Sequence, residues 1–177
     1  MKLVILDRDG VINLDSEQYI KSPEEWTPIA GSLEAIARFT QAGFRVVVAT
    51  NQSGLGRGLF DMATLNAMHD KMHKAVNQLG GRIDAVFFCA HAQDAGCACR
   101  KPQPGMLFEI AERFNVELGG VPAIGDSLRD LQAAHAAGAR PILVLTGKGE
   151  QTLEAGGLPE GTEVHQDLAA AAMALAA

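Results

Sequence analysis

The sequence has no apolar run near the ~20 residues that a membrane span requires. Its start also lacks a basic-then-apolar leader pattern, because Asp7 interrupts the first apolar stretch. Positive charge is in deficit: 15 Lys and Arg against 21 Asp and Glu leave a net charge of −6. That balance argues against broad nucleic-acid binding and against an anionic membrane surface. It leaves room for a phosphate ligand, since a local cluster of cations outweighs a distant net charge. Cysteine is scarce, three residues between positions 89 and 99. An odd, crowded set is a poor disulfide framework and suits a metal site in a reducing compartment. No fixed-period repeat and no linker divides the chain. What remains is one cytoplasmic domain over residues 1–177, a monomer, with 47% apolar residues to build a core.

The chain is organised around its opening, Lys2-Leu3-Val4-Ile5-Leu6-Asp7-Arg8-Asp9-Gly10. The apolar run reads as a buried strand. Two acids are costly inside such a strand, so they belong just past its carboxyl end, where open α/β sheets bind ligands. Side chains two apart on extended backbone point the same way, so Asp7 and Asp9 converge. Held that close, they repel unless a cation or a proton sits between them. Two readings stand: a metal-assisted nucleophile with an acid/base, or a strand ending in a solvated Asp turn.

Further strands are predicted at 44–49, 84–89, 121–124 and 141–145, with a short one near Val164. Helices are predicted over 32–42, with Ser32 as N-cap, and over 61–79, 105–114 and 128–137, with a last one from Asp167. Residues 15–31 read as a long loop broken by Pro23 and Pro28. Leu65, Met68, Met72, Val76 and Leu79 form one helical face, and His69 beside it reads as a packed or boundary histidine. Strands alternating with helices give an α/β fold: a three-layer, Rossmann-like parallel sheet flanked by helices. Polar or small turns follow the first four strands, at Asp7/Asp9, Thr50, Cys89 and Asp126. In a parallel sheet those turns share one edge.

That edge collects a carboxylate nucleophile candidate (Asp7), an acid/base candidate (Asp9), a hydroxyl (Thr50) and an ammonium (Lys101). Asp126 and Asp130 add further carboxylates. Oxygen ligands of this kind suit Mg²⁺, and a lysine and a threonine beside it suit a transferring phosphoryl group. Asp126 and Asp130 can also be read as charge at a helix N-terminus, and Asp130 as no more than an orienter of Lys101.

Asp7-Arg8-Asp9-Gly10, Thr50, Lys101 and Gly125-Asp126-x3-Asp130 resemble, in order, the four motifs of the haloacid dehalogenase-like phosphatases. The resemblance implies that Asp7 attacks phosphorus, that Asp9 protonates the leaving oxygen and then activates water, and that Thr50 and Lys101 hold the phosphoryl oxygens. It implies Mg²⁺ on Asp7, Asp126 and the backbone carbonyl of Asp9. A phospho-receiver domain shares the acceptor Asp, Thr and Lys, but offers no role for Asp9.

Cys89, His91, Cys97 and Cys99 are the ligand set of a closed, structural Zn²⁺ site. The other reading is buried cysteines with a surface histidine. Zinc would fix a loop that leads straight into Arg100-Lys101-Pro102. With that loop, the chain is similar to the branch of the superfamily that acts on D-glycero-D-manno-heptose 1,7-bisphosphate and to the related histidinol-phosphatase domain. The first implies removal of the 7-phosphate on the way to lipopolysaccharide heptose precursors. The residues matching the substrate contacts are Asp15 to Tyr19, Thr50 with Asn51, Gln52 and Ser53, and Arg100. The chain departs from that pattern in its short loop between His91 and Cys97, and in Ser127, where some members carry a substrate-contacting lysine. Residues 11–31 and 90–104 are too short for a cap domain, so the fold is expected to be capless, with an open site.

Overall fold

The computed structural model describes residues 1–92 and 94–177. Six parallel strands form one sheet in the order β3-β2-β1-β4-β5-β6. They are β1 (Lys2–Leu6), β2 (Phe44–Asn51), β3 (Ala85–Cys89), β4 (Pro122–Gly125), β5 (Arg140–Val144) and β6 (Glu163–His165). The helices are α1 (Ser32–Gln41), α2 (Ser53–Gly56), α3 (Met62–Gln78), α4 (Gly105–Phe114), α5 (Leu128–Ala136), α6 (Gly149–Ala155) and α7 (Leu168–Leu175). No helix among the described residues is long and apolar enough to cross a membrane.

The period-two alternation of the strands builds two cores. Val4 and Leu6 of β1 join Val46 and Val48 of β2 under α1, α3 and α7, with Ile36, Phe39, Met68 and Met72. Leu3 and Ile5 face the opposite way, with Val47 and Ala49, onto Met106, Leu107 and Ile110 of α4. Each such buried side chain contributes about 1.5–3 kcal/mol. The result is the three-layer arrangement that alternating strands and helices require.

Several boundaries differ from the sequence reading. The N-cap of α1 is Gly31, in a left-handed conformation. Ser32 instead donates its hydroxyl to Val11 O at 2.7 Å, tying the helix to the loop after β1. Phe39 is fully buried and meets Phe44 of β2 edge-on. Leu79 lies beyond α3 as its C-cap and is exposed. Asp61 caps the start of α3 by accepting from Thr64 N at 2.9 Å. The long loop contains a 3-10 turn at Pro23–Glu25. The short helices α2 and α6 carry too few residues for a periodic signal.

Candidate active site

The carboxyl ends of the strands open onto a cleft of about 330 Å³. Asp7, Asp9, Asp15, Tyr19, Thr50, Asn51, Ser53, Arg100, Asp126 and Asp130 line it, so residues distant in sequence meet. Carboxylate oxygens of Asp7, Asp126 and Asp130 all lie within 4.8 Å of one another.

Beneath them sits Lys101, 5% exposed. Its ammonium donates to Ala49 O at 2.6 Å, to Asp130 Oδ1 at 3.0 Å and to Asp7 Oδ1 at 3.4 Å. Burial works against its charge, but Asp130 and Asp7 outweigh it and hold the ammonium above its ordinary pKa. The backbone of Lys101 is fixed as well. Its N–H donates to Asn51 Oδ1 at 3.0 Å, and its carbonyl accepts from Asn51 Nδ2 at 3.2 Å.

The carboxylates divide by environment. For Asp7, burial and then the charge of Asp130 push the carboxyl well above its ordinary value, with Lys101 pulling the other way. For Asp126, burial and then Asp130 push it up to about 7. Burial of Asp130 is outweighed by Lys101 and by the Ser127 hydrogen bond, so its carboxyl is held below the usual range. Asp130 is fully occupied: Oδ2 accepts from Asp126 N, Ser127 N and Ser127 Oγ, forming the capping box of α5. These contacts match two of the sequence readings of Asp130. It caps the helix and it orients Lys101. Asp7 and Asp126 are left as the carboxylates in need of a cation, and a hard divalent ion fits that oxygen donor set.

Glycines bring the backbone in. Gly10 has φ 86°, and a methyl group there would overlap the Asp126 carboxylate. Thr146 Oγ1 donates to Gly10 O at 2.7 Å, and Lys148 N donates to Asp126 Oδ2 at 2.9 Å.

Thr50 is buried and accepts from Gln52 Nε2 at 2.9 Å. Gln52 itself is buried beside Arg8 and is absent from the cleft lining. Asp9 Oδ1 accepts from Arg8 Nε at 2.7 Å and from Asn13 Nδ2 at 2.9 Å. His69 is packed, as expected, and its Nε2 lies 3.2 Å from Arg8 Nη1. Burial and then the Arg8 charge bring its pKa down to about 4.

Sequence reasoning missed Arg129 and Lys148, which also line the cleft. Lys148 follows the fifth strand, on the same sheet edge as the other motifs. Burial and the neighbouring Arg129 charge hold Arg100 below its ordinary pKa. Two guanidiniums are thus close enough to repel, which is the state an anion relieves.

The predicted metal loop is brought together beside the cleft. Ligand atoms of Cys89, His91, Cys97 and Cys99 lie within 4.8 Å of one another. His91 Nδ1 is 3.2 Å from Cys99 Sγ and 3.4 Å from Cys89 Sγ. Burial and then the neighbouring sulfurs push the Cys99 thiol up to about 12. Without a cation the cluster cannot hold all its sulfurs as thiolates, whereas three thiolates and an imidazole are a zinc donor set.

A protein from Bordetella bronchiseptica described as D-glycero-beta-D-manno-heptose-1,7-bisphosphate 7-phosphatase is 66% identical over 172 residues, covering 97% of this chain and 96% of its own length. The chain belongs to the haloacid dehalogenase-like heptose-bisphosphate phosphatase family. A Pseudomonas putida member of the same description is 56% identical, covering 99% of both chains. The HAD-hydrolase-like family model matches residues 98–171, and the polynucleotide kinase 3 phosphatase model matches residues 2–126. A crystal structure of the B. bronchiseptica D,D-heptose 1,7-bisphosphate phosphatase, complexed with magnesium and phosphate, superposes with a TM-score of 0.98 over 99% of this chain and 98% of its own.

Proposed function

We propose that the chain removes the 7-phosphate from D-glycero-β-D-manno-heptose 1,7-bisphosphate through an aspartyl phosphate on Asp7. The observation that carries this reading is the contact of Lys101 with Asp7, 3.4 Å apart and beside Asp126, in a chain 66% identical to a phosphatase of that description.

An oxygen of Asp7 forms a bond to phosphorus as the bond from phosphorus to the sugar oxygen breaks. Asp9 delivers a proton to that leaving oxygen. It then takes a proton from the water that attacks the acyl phosphate, releasing phosphate and restoring Asp7. Thr50 accepts from Gln52 Nε2 at 2.9 Å and donates only at the long distance of 3.4 Å to Asn51 O, a contact its hydroxyl can exchange for a phosphoryl oxygen. Lys101 neutralises the same group from below. Asp7, Asp126 and the carbonyl of Asp9 would hold Mg²⁺, which supplies charge neutralisation of the phosphoryl oxygens. Cys89, His91, Cys97 and Cys99 would hold Zn²⁺, which fixes the loop that presents Arg100 and Lys101. Asp15, Tyr19, Asn51, Gln52, Ser53 and Arg100 serve the sugar and the distal phosphate, with Gln52 acting through Thr50. The product is a heptose 1-phosphate, suited to synthesis of lipopolysaccharide precursors in the cytoplasm.

The test is phosphate release by Asp7→Asn over a panel containing heptose bisphosphate and histidinol phosphate. The variant should fold and release no phosphate, and the unmodified protein should prefer the heptose. Full activity of the variant would end the covalent mechanism. A preference for histidinol phosphate would end the substrate assignment.

A further inference from the structure

Arg8 stands between the two carboxylates of the opening motif, and the chemistry above gives it no task. Its side chain is 0% exposed. A guanidinium cannot shed its charge, so burying one is costly unless its donors are matched. Here they are matched in three directions. Nε donates to Asp9 Oδ1 at 2.7 Å, Nη1 meets His69 Nε2 at 3.2 Å, and Nη2 reaches Gln52 Oε1 at 3.5 Å. Gln52 passes a hydrogen bond on to Thr50 Oγ1 at 2.9 Å. One side chain thereby ties the turn after β1 to the turn after β2, with α3 behind it.

The pattern at Asp9 is asymmetric. Arg8 and Asn13 both donate to Oδ1, at 2.7 and 2.9 Å. Oδ2 is left to carry the proton that moves, and rotation of the carboxyl is restrained. An acid held this way is aimed before substrate arrives, which is where much of the value of a catalytic group lies.

We infer that Arg8 and His69 are positioning residues: Arg8 aims the carboxyl of Asp9, and His69 supplies the acceptor that holds the guanidinium from behind. His69 suits the task because it stays uncharged at neutral pH: burial and the adjacent Arg8 hold its pKa at about 4. A protonated imidazole would have no acceptor to offer and would repel Arg8.

The inference rests on reading Asp9 as the acid, and the test separates the two. kcat/KM covers the steps up to departure of the leaving group. A sugar oxygen needs a proton to depart, whereas p-nitrophenolate does not. His69→Leu and Arg8→Lys should each lose roughly tenfold or more in kcat/KM on heptose bisphosphate, and less than about threefold on p-nitrophenyl phosphate. His69→Gln, which keeps an acceptor, should restore the sugar ester to within about threefold. Each pair of values comes from one preparation, so their ratio is independent of the fraction folded. Equal losses on both esters, or no loss, would overturn the positioning role if Asp9→Asn still shows the asymmetry. Equal losses in Asp9→Asn would instead overturn the acid role of Asp9 and the inference with it.

Discussion

Lys101 Nζ donates to Asp130 Oδ1 at 3.0 Å, and both side chains are buried. The other oxygen of the same carboxylate caps α5. Asp130→Ala therefore leaves an ammonium under-partnered in the interior and uncaps a helix. The expected loss is about 3–5 kcal/mol, the penalty for halving a buried ion pair. Urea denaturation reads it directly, and a loss within experimental scatter would show that the pair is dispensable.

The raised carboxyls of Asp7 and Asp126 make stability depend on pH. An acid whose folded pKa lies above its unfolded value contributes stability that is complete below the unfolded value and lost as pH rises through the folded one. For Asp126 that window runs from 3.8 to about 7, and the loss amounts to at most about 4 kcal/mol. Asp7 acts in the same sense. Asp130, held low, works oppositely and only in acid. His69, held at about 4, also works oppositely up to its ordinary 6.5, and His69→Leu removes that contribution. Without added Mg²⁺ the urea midpoint of His69→Leu should fall between pH 4 and pH 7, and Mg²⁺ should restore it most above that window. A midpoint climbing through the window would contradict the assignment.

Cys99→Ser should strip the loop of its metal. Elemental analysis should find about one zinc per unmodified chain and almost none in the variant. Phosphate release should fall about tenfold or more, since Arg100 and Lys101 lose the anchor just before them. Normal turnover by a zinc-free variant would reduce the loop to decoration.

Arg129→Ala removes one of the two guanidiniums at the cleft. Hydrogen bonds to a charged group are worth about 1.5–3 kcal/mol, so KM for the bisphosphate should rise about tenfold to a hundredfold. kcat should change much less, because the distal phosphate is remote from the bond that breaks. Steady-state kinetics at fixed Mg²⁺ distinguishes this from a catalytic defect.

The parts legible in the sequence were those with a one-dimensional signature. An apolar run ending in Asp7-x-Asp9 reads as a strand delivering acids to an edge, and α4 runs between its predicted bounds, Gly105–Phe114. The cysteine loop declared itself by composition. What stayed hidden depends on contacts between remote segments. Arg8 carries no signal of its own between two acids, and only the meeting of α3 with two turns reveals a buried clamp. Lys148 touches Asp126 through its backbone amide, which no side-chain pattern encodes. Ser32 has the chemistry of a helix cap but spends it on Val11, because the loop after β1 passes within reach.

Among the described residues, the stretches after β1 and β3 are loops with a single 3-10 turn, and no separate lobe folds over the cleft. Discrimination between phosphate esters then falls to a handful of side chains at the rim, acting one by one on whatever diffuses in. Retargeting such a scaffold to a different metabolite would take a few point changes around an untouched reaction centre.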